Sequence, residues 1–281
     1  MCQHCVIEQV KEQMLSRRSL FRSATAVAAA ATVGSIAAPA QAQAAAQTLA
    51  VAVSPNGVRD LTHELHPDFP TFFGGQQLKI VPKLSFAKDG LNLNEWVINE
   101  HTGTHIDSPL HFSAAGQSIA EVPLENFVVP LAIIDIREKA AANPDAQVTP
   151  DDIKAWISKN GPIPDSACVA MNSGWDAYVT GPKFRNVDDK KALHFPGFHV
   201  EAVNMLLEST SASGIASDTL SLDFGISPDF ATHKAWLPRG KWGIEAIANL
   251  GHLPAKGAML VVGAPKIRGA TGGPSRIFAF V

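Results

Sequence analysis

Apolar and polar positions along the 281 residues change period several times, and each change marks an element. Asp60–Leu65 reads as a first strand, broken off by Pro67, Pro70 and the pair Gly74-Gly75. Asn94–Glu100 has the same extended character. Ile133-Ile134-Asp135-Ile136 and Ala167–Met171 are short, nearly continuous apolar runs of the central-sheet type. Between them Thr149-Pro150-Asp151-Asp152 opens a helix, with threonine as N-cap, proline at the first helical position and acids in the first turn. It should run to about Asn160, where Gly161 ends it. A turn at His194–Phe198 precedes a second helix, His199–Glu208, and Gly214–Asp223 alternates as a strand that ends in the turn Leu222–Gly225. Two apolar strands, Ala258–Gly263 and Arg276–Val281, close the chain around the loop Gly269–Pro274. The pattern supports many short strands with two or three helices, but it does not reveal the order of the strands.

One stretch, His101-Thr102-Gly103-Thr104-His105-Ile106-Asp107-Ser108-Pro109-Leu110-His111-Phe112, carries the candidate chemistry. As a helix it fails: Pro109 removes a backbone donor, and Gly103 with the β-branched Thr102, Thr104 and Ile106 lowers helix propensity. As an extended strand it puts His101, His105, Asp107 and His111 on one face, because side chains alternate with period two. His105 and Asp107 are then roughly 7 Å apart, close enough to hold one ion. His101 and His105 are roughly 13 Å apart, too far to share a metal about 2 Å from each, so the chain must bend at Gly103. Pro109 breaks the strand again and lets His111 swing over the site. Two histidines and one carboxylate leave coordination positions open, as a catalytic metal requires.

The string His101-x-Gly103-Thr104-His105-x-Asp107-x-Pro109-x-His111 resembles the signature of the cyclase family of metal-dependent hydrolases, which includes bacterial kynurenine formamidases and isatin hydrolases. The resemblance runs from about Asp60 to the C-terminus. It implies an α/β fold with a mixed, barrel-like β-sheet flanked by a few helices, assembled as a homodimer or homotetramer. It further implies one or two divalent ions, zinc or manganese, held by His101, His105 and Asp107, with His233 and Glu245 completing the site in binuclear members. Gly243–Leu250 resembles the family's glutamate-bearing strand. His111 takes the role of general base by the same resemblance, and Phe69, Phe72, Phe73, Trp175 and Phe195 become candidate pocket walls. The reaction implied is hydrolysis of a non-peptide amide: first an N-formyl aryl amine such as N-formylkynurenine, then an isatin-type lactam, with lactone or ester hydrolysis third. A metal- or ligand-binding protein without turnover is the alternative from another class, and His111 discriminates, because pure binding has no use for an extra base.

Composition narrows the setting. Ser16-Arg17-Arg18-Ser19-Leu20-Phe21-Arg22, the alanine-rich run to Ala38 and Ala40-Gln41-Ala42 read as a twin-arginine signal over residues 1–42, with export to the periplasm and one mature domain over 43–281. The alanine run is too short and too weakly apolar for a membrane span. Cys2-Gln3-His4-Cys5 resembles half a zinc site, but no second half follows. Without the leader the net charge moves from −3 to about −5. With no basic run left, nucleic acid and anionic membrane are not expected partners. Only Cys168 remains among the cysteines, in an apolar run, so no internal disulfide forms. Ser173 lies outside any Gly-x-Ser-x-Gly elbow, which counts against a serine hydrolase. His63 and His66 read as structural.

Overall fold

A computed structural model describes residues 57–281. The reading of residues 1–42 as a leader, with its Cys2–Cys5 cluster, lies outside the described residues. No helix among those described is long and apolar enough to cross a membrane.

The main sheet has nine strands. They are β1 (Val58–Asp60), β4 (His105–Asp107), β5 (Val128–Asp135), β7 (Cys168–Asn172), β9 (Gly214–Ser217), β10 (Trp242–Glu245), β11 (Lys256–Gly263), β12 (Gly272–Pro274) and β13 (Arg276–Phe280). Their order is β1-β13-β11-β5-β7-β9-β10-β4-β12. The inner strands β5, β7, β9 and β10 run parallel, and both flanks pair antiparallel. The result is a mixed sheet curled into a half-barrel, as the resemblance implied.

Parallel strands require crossovers. These carry α2 (Arg137–Ala142) and α3 (Pro150–Asn160), then α4 (Val200–Ser209), then α5 (Ala231–Trp236); a short α1 (Phe86–Asp89) lies elsewhere. The α3 prediction holds to the residue. Thr149 and Asp152 form a reciprocal capping box, and Gly161 follows the last turn at φ 84°. His199 caps α4 by accepting the Glu201 amide, one residue inside the expected boundary.

The apolar runs have two faces to fill. On β5 and β7, Leu131, Ile133, Cys168 and Ala170 enter one core layer, with Ala216 and Ile244 beside them. Their neighbours Ala132, Ile134, Val169 and Met171 enter the other, against Ile153 and Trp156 of α3, Val203 and Leu206 of α4, and Trp236 of α5. Each large side chain so buried contributes about 1.5–3 kcal/mol. This period-two division explains why the sequence shows continuous apolar runs here. Cys168 sits in this packing as a small hydrophobe, and burial pushes its thiol pKa far up.

The expected loop Gly269–Pro274 ends in strand β12, and three further expectations need correction. The first strand stops at Asp60, because the Thr62 side-chain hydroxyl takes up the Ile277 carbonyl and amide that a continuing strand would use. β9 ends at Ser217 rather than Asp223: the Ser217 and Thr219 hydroxyls both donate to the Ser221 carbonyl, closing the chain into a turn. Extended structure near Asn94 does exist as β3 (Leu93–Ile98), but it pairs with β2 (Leu78–Leu84) in a hairpin apart from the main sheet, as the two-residue strands β6 (Gln147–Val148) and β8 (Gly197–Phe198) pair with each other.

Candidate active site

Strand β4 is the foundation of the site. It lies between β10 and β12, with His105 opposite Glu245 and Pro274, and Asp107 opposite Gly243 and Gly272. Residues opposite each other in an antiparallel pair share a face, so the imidazole of His105 and the carboxylates of Asp107 and Glu245 emerge together. A glycine on either side leaves the Asp107 carboxylate uncrowded.

Two departures from the strand bring in the other histidines. Gly103 adopts φ +70°, and Leu65 Cδ1 lies only 2.8 Å from where a Cβ would stand. The bend closes the roughly 13 Å of an extended chain to a ring separation of 5.2 Å between His101 and His105. Pro109–His111 forms a 3₁₀ turn that folds His111 back until its ring stacks on His101 at 3.9 Å. His233 arrives from α5. The six predicted residues therefore come together.

The polar geometry is convergent. His101 Nδ1 lies 2.7 Å from Asp107 Oδ1, and His105 Nε2 lies 3.3 Å from the same oxygen and 3.4 Å from Glu245 Oε2. His233 Nε2 is 3.0 Å from Glu245 Oε1 and 3.5 Å from Asp107 Oδ2. Two sets of ligand atoms share Asp107: His105, Asp107 and Glu245 form one, and His101, Asp107 and His111 the other, each within 4.8 Å. Yet His105 Nε2 and Asp107 Oδ2 are buried without a hydrogen-bond partner. Donor atoms that converge in the interior without satisfying one another fit a bound cation.

Electrostatics agree. Burial pulls the His105 pKa down, but Asp107 and Glu245 outweigh it and raise it to about 9. His233 is likewise raised against burial by Asp107, Asp223 and Glu245. Burial raises the Asp107 pKa, but His101, His105 and His233 override it and hold the carboxyl well below its usual range. The cluster demands positive charge. His111 goes the other way, since burial lowers its pKa to about 4.

A cleft of about 200 Å³ opens above these groups, lined by Phe72, Phe73, Phe112, Leu220 and Phe230 together with His101, His111, His233 and Glu245. Of the candidate wall residues, Phe72 and Phe73 reach it. Phe69, Trp175 and Phe195 do not: they are packed with Phe184 in a buried aromatic cluster behind it, where Trp175 Nε1 donates to the Phe184 carbonyl. Phe112 and Phe230 were not foreseen. Nor was Asp223, which sequence places in a turn: its Oδ2 accepts from His233 Nδ1 at 2.6 Å, and its Oδ1 accepts the Thr232 amide. A carboxylate ten residues before a candidate ligand histidine was the only signal available. His63 packs against Phe69 and Phe184, and His66 against Phe69, outside the cleft.

The chain is similar to known proteins in sequence and in fold. The family model Cyclase matches residues 59–224. Isatin hydrolase of Roseibium aggregatum is 33% identical over 198 residues, 67% of this chain and 74% of that protein. Kynurenine formamidase of Salinibacter ruber is 24% identical over half of this chain and 74% of that protein. Among solved structures, isatin hydrolase A from Labrenzia aggregata, bound to benzyl benzoate, superposes with a TM-score of 0.75 at 33% identity, covering 86% of this chain and 99% of that one. With the family model covering more than half of the sequence and the fold shared almost end to end, this chain belongs to the cyclase family of hydrolases.

Proposed function

We propose that this protein is a metal-dependent hydrolase of non-peptide amide C–N bonds in small aromatic substrates, with an isatin-type lactam as the first substrate class. The carrying observation is a contrast among four histidines. His101, His105 and His233 each have a ring nitrogen tied to an acceptor on the protein side: Thr271 Oγ1, the Gly103 carbonyl and Asp223. The His111 ring has no hydrogen bond among the described residues, and it faces the cleft. Tied rings suit ligands, whose tautomer must be fixed; an untied, uncharged ring suits a base that gains and loses a proton.

The donor set of His101, His105 and Asp107, with Glu245 and His233 able to hold a second ion, fits zinc or manganese, since nitrogen and oxygen ligands suit both. Such an ion supplies Lewis acidity, which polarises an amide carbonyl and acidifies water. The protein's own residues do the rest. His111 takes the proton from the attacking water as it adds to the carbonyl carbon, then delivers it to the amide nitrogen as the C–N bond breaks. Phe72, Phe112 and Phe230 offer ring faces and edges to an aromatic substrate, and the small cleft selects a compact one.

Sequence alone puts an N-formyl aryl amine first. The relative at 33% identity is an isatin hydrolase, and its fold-mate was solved with an aromatic ester bound, which moves the lactam ahead. Matches to kynurenine formamidases keep the formamide as the second reading. A panel of isatin, N-formylkynurenine and an aryl lactone, assayed with zinc or manganese and again with chelator, tests this. Chelator-sensitive hydrolysis, fastest on isatin, is the expected result. A protein that binds metal but turns over nothing in the panel is instead a binding protein. Export through the twin-arginine route belongs to the same proposal on the sequence of residues 16–42, and cell fractionation checks it.

A further inference from the structure

We propose that Thr271 and Glu100 form a hydroxyl relay that fixes the tautomer of His101 and thereby tightens metal binding; this rests on the metal-site reading above. Thr271 Oγ1 lies 2.5 Å from Glu100 Oε2, and the Thr271 amide donates to the same oxygen at 3.0 Å. An ionised carboxylate only accepts, so the single hydroxyl proton of Thr271 goes to Glu100. Toward His101 Nε2, 2.9 Å away, the hydroxyl can then only accept. On a neutral ring the proton therefore sits on Nε2, and Nδ1 turns its lone pair to the site, 2.7 Å from Asp107 Oδ1. A nitrogen lone pair and a carboxylate oxygen this close repel unless a proton or a metal cation lies between them, and the relay keeps the neutral ring's proton on the far nitrogen. The relay thus presents His101 as a ligand and opposes a simple His101–Asp107 hydrogen bond.

Thr271 cannot drift from this post. Its carbonyl accepts from both the amide and the hydroxyl of Ser108, at 2.8 and 2.9 Å. The next residue, Gly272, lies so close to the motif that a Cβ there would stand 2.2 Å from the Ile106 carbonyl oxygen and 3.1 Å from the His101 ring. Strand β12 is pressed against the motif, and glycine is what permits it. The remaining ligand histidines use other acceptors: a backbone carbonyl for His105 and a carboxylate directly for His233. Only His101 depends on a hydroxyl between ring and acid.

The test compares T271V, T271S and E100Q with the parent. Zinc affinity is measured by chelator competition, and the His101 tautomer is read from long-range ¹⁵N–¹H correlations in the zinc-loaded protein. T271V should weaken zinc binding roughly 10–100-fold, as loss of an outer hydrogen bond to a ligand does. T271S should restore parental affinity, E100Q should fall between, and the parent's ring proton should sit on Nε2. Parental affinity in T271V overturns the relay, as does T271S binding as weakly as T271V, or a ring proton found on Nδ1. A parent chain that binds no zinc or manganese overturns the metal-site reading itself, and the relay with it.

Discussion

At the scale of single residues, His111 and Gly103 make the sharpest demands. Replacing His111 with alanine removes the base but none of the tied ligands, so hydrolysis should fall about 10²–10⁴-fold while metal content, read by elemental analysis, stays at the parental level. Loss of metal in that variant would make His111 a ligand instead. The pH dependence has a definite sign. The folded pKa of His111 is lowered from 6.5 to about 4, so the ring stays uncharged as pH falls through the ordinary histidine range and charges only near the lower value. An NMR titration of that ring should show no protonation near 6.5; a transition there would mean the ring is solvated. Gly103→Ala forces a left-handed backbone on a residue with a Cβ and drives that Cβ into Leu65, which should cost at least about 1–2 kcal/mol in denaturant unfolding and weaken metal binding together. The motif residues were legible because spacing and strand geometry constrain them. Asp223 and Thr271 were not, because a lone acid or hydroxyl in a turn looks the same whether it holds a ligand or caps a loop.

Elements were legible where local chemistry dictates them. The helix at Pro150–Asn160 depends on its own N-cap and first turn, and Thr149→Ala should cost about 1 kcal/mol by denaturant midpoint with turnover unchanged, since α3 lies behind the sheet. Altered turnover in that variant would mean the helix communicates with the cleft. The hairpin of β2 and β3 is not legible as a pair for the opposite reason: neither strand has a regularly buried face, and Trp96 is 70% exposed, so no period marks it. Strand β12 has no sequence signal, because its three residues, Gly272-Gly273-Pro274, carry no strand propensity; tertiary pairing with β4 alone makes them a strand. Phe230 is the least expected wall. It precedes α5 at φ 55°, ψ 46°, a conformation few non-glycine residues adopt, and the cleft receives its ring as a result.

For the whole molecule, the sheet order had no sequence signal. Parallel pairing of β5, β7, β9 and β10 joins segments separated by whole helices, and nothing local records which neighbour each will find. That order nevertheless makes the site: it brings Glu245, at the end of β10, opposite His105, and leaves Asp223 and His233 to fold over from the crossover that follows β9. Because the buried cluster draws on segments from residue 101 to residue 245, a divalent ion should brace the entire fold. At a free metal concentration of 100 times Kd the gain is about 2.7 kcal/mol, a shift of roughly 5–10 °C in Tm for a chain of this size. Calorimetry with and without chelator reads this directly, and an unchanged Tm would mean that no ion bridges these segments.

The most direct measurement is anomalous diffraction from crystals grown with zinc or manganese, collected at the absorption edge of the metal. A peak in contact with His101, His105 and Asp107, with the His111 ring facing it uncoordinated, is the expected result. Metal-loaded crystals with no peak there, and with the imidazole of His101 donating a hydrogen bond to Asp107 instead, would contradict it.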